Sequence, residues 1–222
     1  MKKALSLIAC CALTAVLTAC GGSASASVEP TVQPTAQPNA EPAATAVPEP
    51  QAAEIADFES ASPMENTTLV AYFSCTGTTA GIAELIAEQA NADLYTITPA
   101  QPYSSDDLNY NDDSCRANQE MNDDTARPEL GGDEIDPTPY TTVYLGYPIW
   151  WGTAPRIIQT FIESNDLTGK TVYLFCTSGS SGIDKSLRDL QNLYPDINFA
   201  AGQRFSRNAS AEDITAWLDG LA

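Results

Sequence analysis

Leu69-Val-Ala-Tyr-Phe-Ser-Cys-Thr-Gly-Thr-Thr79 is the stretch that decides the fold. Its first five residues, Leu69 to Phe73, are apolar or aromatic and read as a strand buried on both faces. Ser74, Cys75, Thr76, Gly77, Thr78 and Thr79 then set hydroxyls around one glycine. Ile82, Leu85 and Ile86 follow at helical spacing, so the hydroxyl run joins a strand to a helix N-terminus. Backbone N–H groups lack partners there and the helix dipole is positive, which predicts an anion cradle. Gly77 would let the backbone close around the anion. A plain capped turn would use the same residue types. The stretch has neither G-K-[ST] nor G-x-G-x-x-G, and no basic side chain, so it suits a phosphate monoester better than a triphosphate with magnesium.

Working outward, residues 93–97 alternate and predict a second strand. Residues 98–138 form a polar insertion rich in Asp, Asn, Pro and Gly, with helical segments expected at 104–110 and 113–122. A loop this long is expected to have a function. Residues 141–145 predict a third strand, left by the loop Gly146-Tyr-Pro-Ile-Trp-Trp-Gly152. Pro155 is placed to open the next helix. Residues 171–175 predict a fourth strand, followed by Cys176-Thr-Ser-Gly-Ser-Ser-Gly182 and a helix over 183–193. Residues 197–205 predict a fifth strand with a kink at Gly202, and Ser210 with Asp213 predicts the capping-box start of a last helix. This alternation predicts an α/β three-layer sandwich on a five-stranded parallel sheet. The loops after strands one, three and four leave carboxyl ends and meet at one edge of it.

Ser74-x-Thr76-Gly77-x-Thr79 resembles the phosphate loop of flavodoxins, whose pattern is T/S-x-T-G-x-T and whose ligand is FMN. The G-Y-P-I-W-W-G-x-A-P and T-S-G-S-S-G runs extend the resemblance in order over nearly all of residues 67–222. It implies the flavodoxin-like strand order 2-1-3-4-5, with the cofactor at the switch between strands one and three. It implies phosphate contacts from Ser74, Cys75, Thr76, Gly77, Thr78 and Thr79. Flavin contacts would come from Pro148, Ile149, Trp150, Trp151 and Gly152, and from Thr177, Ser178, Gly179, Ser180 and Gly182. One of the adjacent tryptophans is expected in the core and the other against the isoalloxazine ring, with either assignment open. Gly152, or Gly146, matches the peptide that turns toward the flavin on reduction in that family. The Ser/Gly loop departs from the pattern because it lacks the aromatic that many flavodoxins place there. The second flavin face is then open or covered by the insertion.

The N-terminus differs in kind. Residues 1–19 carry two lysines, a short apolar run and small residues before Cys20-Gly21, which describes an export signal. Leu17-Thr-Ala-Cys20 resembles the lipobox of bacterial lipoproteins, which makes Cys20 the expected lipidation site and the lipid the expected hold on the membrane. Residues 20–66, proline-rich and acidic with no basic residue, read as an extended tether, leaving 67–222 as the domain. The formal charge of −19 makes nucleic acid a poor partner. With no histidine anywhere, a Ser-His-Asp triad is excluded, and no metal site is expected. Cys75, Cys115 and Cys176 remain in the domain. A Cys75–Cys115 disulfide is expected to pin the insertion over the phosphate loop, bringing Arg116 or Arg127 toward the flavin, with three free thiols as the alternative. The expected function is FMN-mediated electron transfer to a partner protein or small acceptor. An FMN-dependent NAD(P)H:quinone-type reductase and a non-redox ligand-binding module are the alternatives.

Overall fold

The computed structural model describes residues 66–221. The expected export signal, Cys20 and all but the last residue of the expected tether lie outside them. The first strand is β1 (Thr68–Tyr72), in which Leu69, Val70 and Ala71 are fully buried. Side chains alternate across a strand, so Leu69, Ala71 and Phe73 enter one core and Val70 and Tyr72 the other. Each such large apolar side chain contributes about 1.5–3 kcal/mol by leaving water. Helices α1 (Thr78–Ala90) and α5 (Ala211–Asp219) cover the second core through Ile82, Ile86 and Ile214. Helices α3 (Arg156–Ser164) and α4 (Asp184–Leu193) cover the first through Ile157, Phe161 and Leu190. The three layers are as expected.

The main sheet runs β2 (Asp93–Thr96), β1, β5 (Thr142–Pro148), β6 (Thr171–Thr177) and β7 (Asn198–Phe205), all parallel. Because β3 (Thr98–Pro99) and β4 (Leu130–Gly131) belong to the insertion, this is the 2-1-3-4-5 order of the main-sheet strands. Pairs Tyr72 with Gly146 and Pro148 with Thr177 bring the three expected loops to one edge.

Strands β5 and β6 run further than the sequence suggests, because their ladder continues through Gly146–Phe175, Tyr147–Cys176 and Pro148–Thr177. Gly146 is therefore a sheet residue under the Phe175 ring, where an added Cβ would lie 2.0 Å from a ring carbon. This removes it as the alternative turning peptide. The irregularity in β7 falls one place beyond Phe199, not at the expected Gly202, which packs tightly against Ile183. The capping box forms as read: the Asp213 N–H donates to Ser210 Oγ at 3.3 Å, and the Ser210 N–H to Asp213 Oδ2 at 2.8 Å.

The insertion is closed at its base by β3 (Thr98–Pro99) paired antiparallel with β4 (Leu130–Gly131). One of its two expected helices forms, as α2 (Arg116–Asn122). Residues 104–110 make turns instead. There Asp107 Oδ2 accepts from both the N–H and the hydroxyl of Ser104 at 2.8 Å, a local bond that competes with the helix. Buried Arg156 ties α2 to the sandwich: its guanidinium donates to the carbonyls of Glu120 (3.3 Å) and Met121 (3.1 Å) and pairs with Asp124. A cation on the last carbonyls of a helix satisfies groups that otherwise have no partner.

Candidate functional site

The loop from β1 into α1 is built as an open cradle. Gly77 holds φ +83°, a conformation glycine adopts without cost, and nothing lies within 4 Å of where its Cβ would stand. Its N–H donates to Ser74 Oγ at 3.2 Å, which curls the loop. No side chain caps α1, so its first-turn N–H groups remain available. Thr76 and Thr78 present their hydroxyls together, 3.5 Å apart. Thr79 is almost fully buried and shares a 2.8 Å hydrogen bond with Thr177, joining the start of α1 to the end of β6.

The loop after β5 is a tight turn. Trp150 N donates to Thr153 O at 3.0 Å, and Thr153 N returns a bond to Trp150 O at 2.9 Å. Trp151 (φ +50°) and Gly152 (φ +79°) between them are both left-handed, the type I′ pattern. Glycine meets that demand without strain. Tryptophan does not, and its left-handed backbone costs about 1–2 kcal/mol. The turn separates the two tryptophans. Trp150 packs edge-on against Phe73 (5.6 Å) and Tyr103 (5.3 Å), while Trp151 is 60% exposed. The Trp151 indole Nε1 donates to Asn118 Oδ1 at 3.0 Å.

These loops enclose a cavity of about 650 Å³. Ser74, Cys75, Thr76 and Thr79 line one end, Pro148, Ile149 and both tryptophans another, and Ser178, Gly179 and Ser180 a third. Thr78 and Thr177 line an adjoining cavity with Thr76, Arg204 and Arg207. Gly77, Gly152 and Gly182 line neither, the first two acting through backbone shape. Leu108, Tyr110, Ala117 and Asn118 complete the large cavity, so the insertion forms one of its walls.

A flavodoxin family model matches residues 67–221. The chain belongs to the flavodoxin family. A candidate flavoprotein of Bacteroides uniformis, solved by crystallography, is 47% identical over 69% of this chain and 98% of its own, with a TM-score of 0.68. A second, from Bacteroides eggerthii, is also 47% identical, over 70% and 97%, with a TM-score of 0.67. A flavoprotein of Lactobacillus acidophilus in complex with FMN shares the fold at 20% identity and a TM-score of 0.56, over 69% of this chain and 99% of its own. No curated protein matches the chain.

In this flavodoxin the expected Cys75–Cys115 disulfide is not formed, and Cys75, Cys115 and Cys176 are free thiols. Cys115 instead caps α2, its Sγ accepting from the Asn118 N–H at 3.4 Å. Burial pushes the Cys75 and Cys176 thiols up to about 12, so both stay neutral. The arginines of the insertion hold protein rather than ligand. Arg116 lies 4.0 Å over the Tyr103 ring, pairs with Glu120 at 2.6 Å and donates to Gln101 O at 2.7 Å. Arg127 pairs with Glu163 at 2.8 Å on the sandwich surface. The Tyr103 hydroxyl donates to Glu120 Oε2 at 2.5 Å; burial, then that bond, raises its pKa far above the usual range. Asn118, Arg156 and Arg204 escape a sequence reading, because each works through partners 25 or more residues away.

Proposed function

We propose that this flavodoxin binds FMN in the 650 Å³ cavity and transfers electrons through it. The observation that carries the reading is the arrangement of the cavity's ends. An uncapped helix N-terminus with the Thr76 hydroxyl, 3.5 Å from that of Thr78, stands at one, and an exposed tryptophan in a strained turn at another. The first suits a phosphate dianion, the second a planar ring, and the volume lies in the range of small-molecule sites. Bound there, FMN would supply the redox chemistry, and the chain would hold, orient and shield it. The FMN complex of the Lactobacillus relative has the same fold.

Titrating the FMN-loaded chain with dithionite and then with a quinone tests the role. Bound flavin that is bleached and recovers supports it; bound flavin that neither reductant nor oxidant reaches overturns it. A second reading, an FMN-dependent reductase of a small acceptor, is favoured by the insertion wall, where Leu108 and the 71% exposed Tyr110 border the cavity. Sustained NAD(P)H oxidation in the presence of quinone supports that reading over a one-partner carrier. For the cell we propose an exported protein held by lipid on Cys20. Among the described residues no helix is long and apolar enough to cross a membrane.

A further inference from the structure

Arg204 stands on β7 opposite Cys176 of β6 and is half-buried. Its Nη2 donates to the carbonyls of both Ser178 and Gly179, each at 3.1 Å. A trans peptide is planar, with N–H and C=O on opposite sides. Holding those two carbonyls therefore turns the N–H groups of Gly179 and Ser180 away from the arginine. Both residues line the large cavity, and among the described residues neither N–H has an acceptor in the protein. Ser178 tightens the same turn by donating from Oγ to Ser181 O at 2.7 Å.

The charge is also free to act on the site. Among the described residues Arg204 makes no ion pair, in a chain whose formal charge is −19. Its field reaches Cys176, where it opposes the rise caused by burial.

We propose that Arg204 is the positioning residue of the flavin site, presenting the Gly179 and Ser180 N–H groups to the pyrimidine edge of the ring and favouring its reduced state. This rests on the FMN reading above. Taking up two electrons and one proton leaves the ring with one more negative charge, so donors and a cation behind them hold the reduced form more tightly than the oxidised form. Arg204 thus offsets the acidity of the rest of the chain at the place where charge develops.

The test is the midpoint potential of FMN bound to the full chain, in the native protein, Arg204→Met and Arg204→Lys. In Arg204→Met the preference for reduced over oxidised FMN is expected to fall about tenfold, a drop of about 30 mV for a two-electron couple. Arg204→Lys keeps the charge but has no fork to hold both carbonyls, and is expected between the two. A role confined to bracing the loop weakens both oxidation states equally and leaves the potential at its native value; that result overturns the proposal. If Arg204→Met does not fold, the lysine variant decides alone, a native potential again overturning it. A native chain that takes up no FMN overturns the flavin reading together with this one, whereas an FMN-binding chain whose potential ignores Arg204 overturns this one only.

Discussion

The Trp151 indole donates to Asn118 Oδ1 at 3.0 Å, joining the turn after β5 to a helix of the insertion. Asn118 is 2% exposed and is itself fixed, its Nδ2 donating to the carbonyls of Asp112 (2.8 Å) and Tyr110 (3.2 Å). An exposed aromatic is thereby held in one orientation at the mouth of the cavity. Asn118→Leu keeps the volume but removes that acceptor together with the two donated bonds that fix Asn118. The expected result is FMN affinity lowered severalfold, in line with roughly 0.5–1.5 kcal/mol for one hydrogen bond. Quenching of tryptophan fluorescence by FMN should fall with it, and native quenching in the variant would show that Asn118 does not orient the ring.

Gly146 and Gly81 predict opposite responses to the same substitution. A Cβ at Gly146 would meet the Phe175 ring at 2.0 Å in the middle of the sheet, whereas at Gly81, within α1, it meets nothing within 4 Å. Gly146→Ala is expected to destabilise by about 1–3 kcal/mol through overpacking. Gly81→Ala is expected to stabilise by roughly 0.5–1 kcal/mol, alanine being the better helix residue. Denaturant unfolding of the two variants checks the pair.

Burial holds the Cys75 thiol neutral up to about pH 12, from an ordinary value of 9.0. The neutral form favours folding, so its contribution is complete below the unfolded thiol's pKa and is lost as pH rises from about 9 toward 12. Alkylation by iodoacetamide at pH 8 should therefore be slow at Cys75 in the native chain and fast after unfolding. Equal rates in the two states would contradict the buried, neutral thiol.

If lipid on Cys20 holds the protein as proposed, Cys20→Ala is expected to move it from the membrane fraction to the soluble one. Retention of the variant on membranes would remove Cys20 as the anchor.

The sequence carried the main sheet well because its signals were local. An apolar run, one glycine and a helical repeat define β1, the cradle and α1 within residues 68–90. The capping box at Ser210 is equally local, spanning four residues. What escaped was set across the fold. Gly146 reads as a loop opener until Phe175 of the neighbouring strand fills its missing side chain. Residues 104–110 read as helix until Ser104 and Asp107 close on each other. The two tryptophans are adjacent in sequence, and only the left-handed turn, with Asn118 33 residues away, separates a packed ring from an exposed one.

The most direct test of FMN binding is titration of the purified full chain with FMN and with riboflavin, alongside Thr76→Val. Each hydrogen bond to the charged phosphate is worth about 1.5–3 kcal/mol, so riboflavin should bind at least tenfold more weakly than FMN. Thr76→Val should weaken FMN by a similar factor while leaving riboflavin unchanged. One FMN per chain with that discrimination is the predicted result. No change in the flavin spectrum on adding FMN, or equal affinity for FMN and riboflavin in the native chain and the variant, would contradict the account.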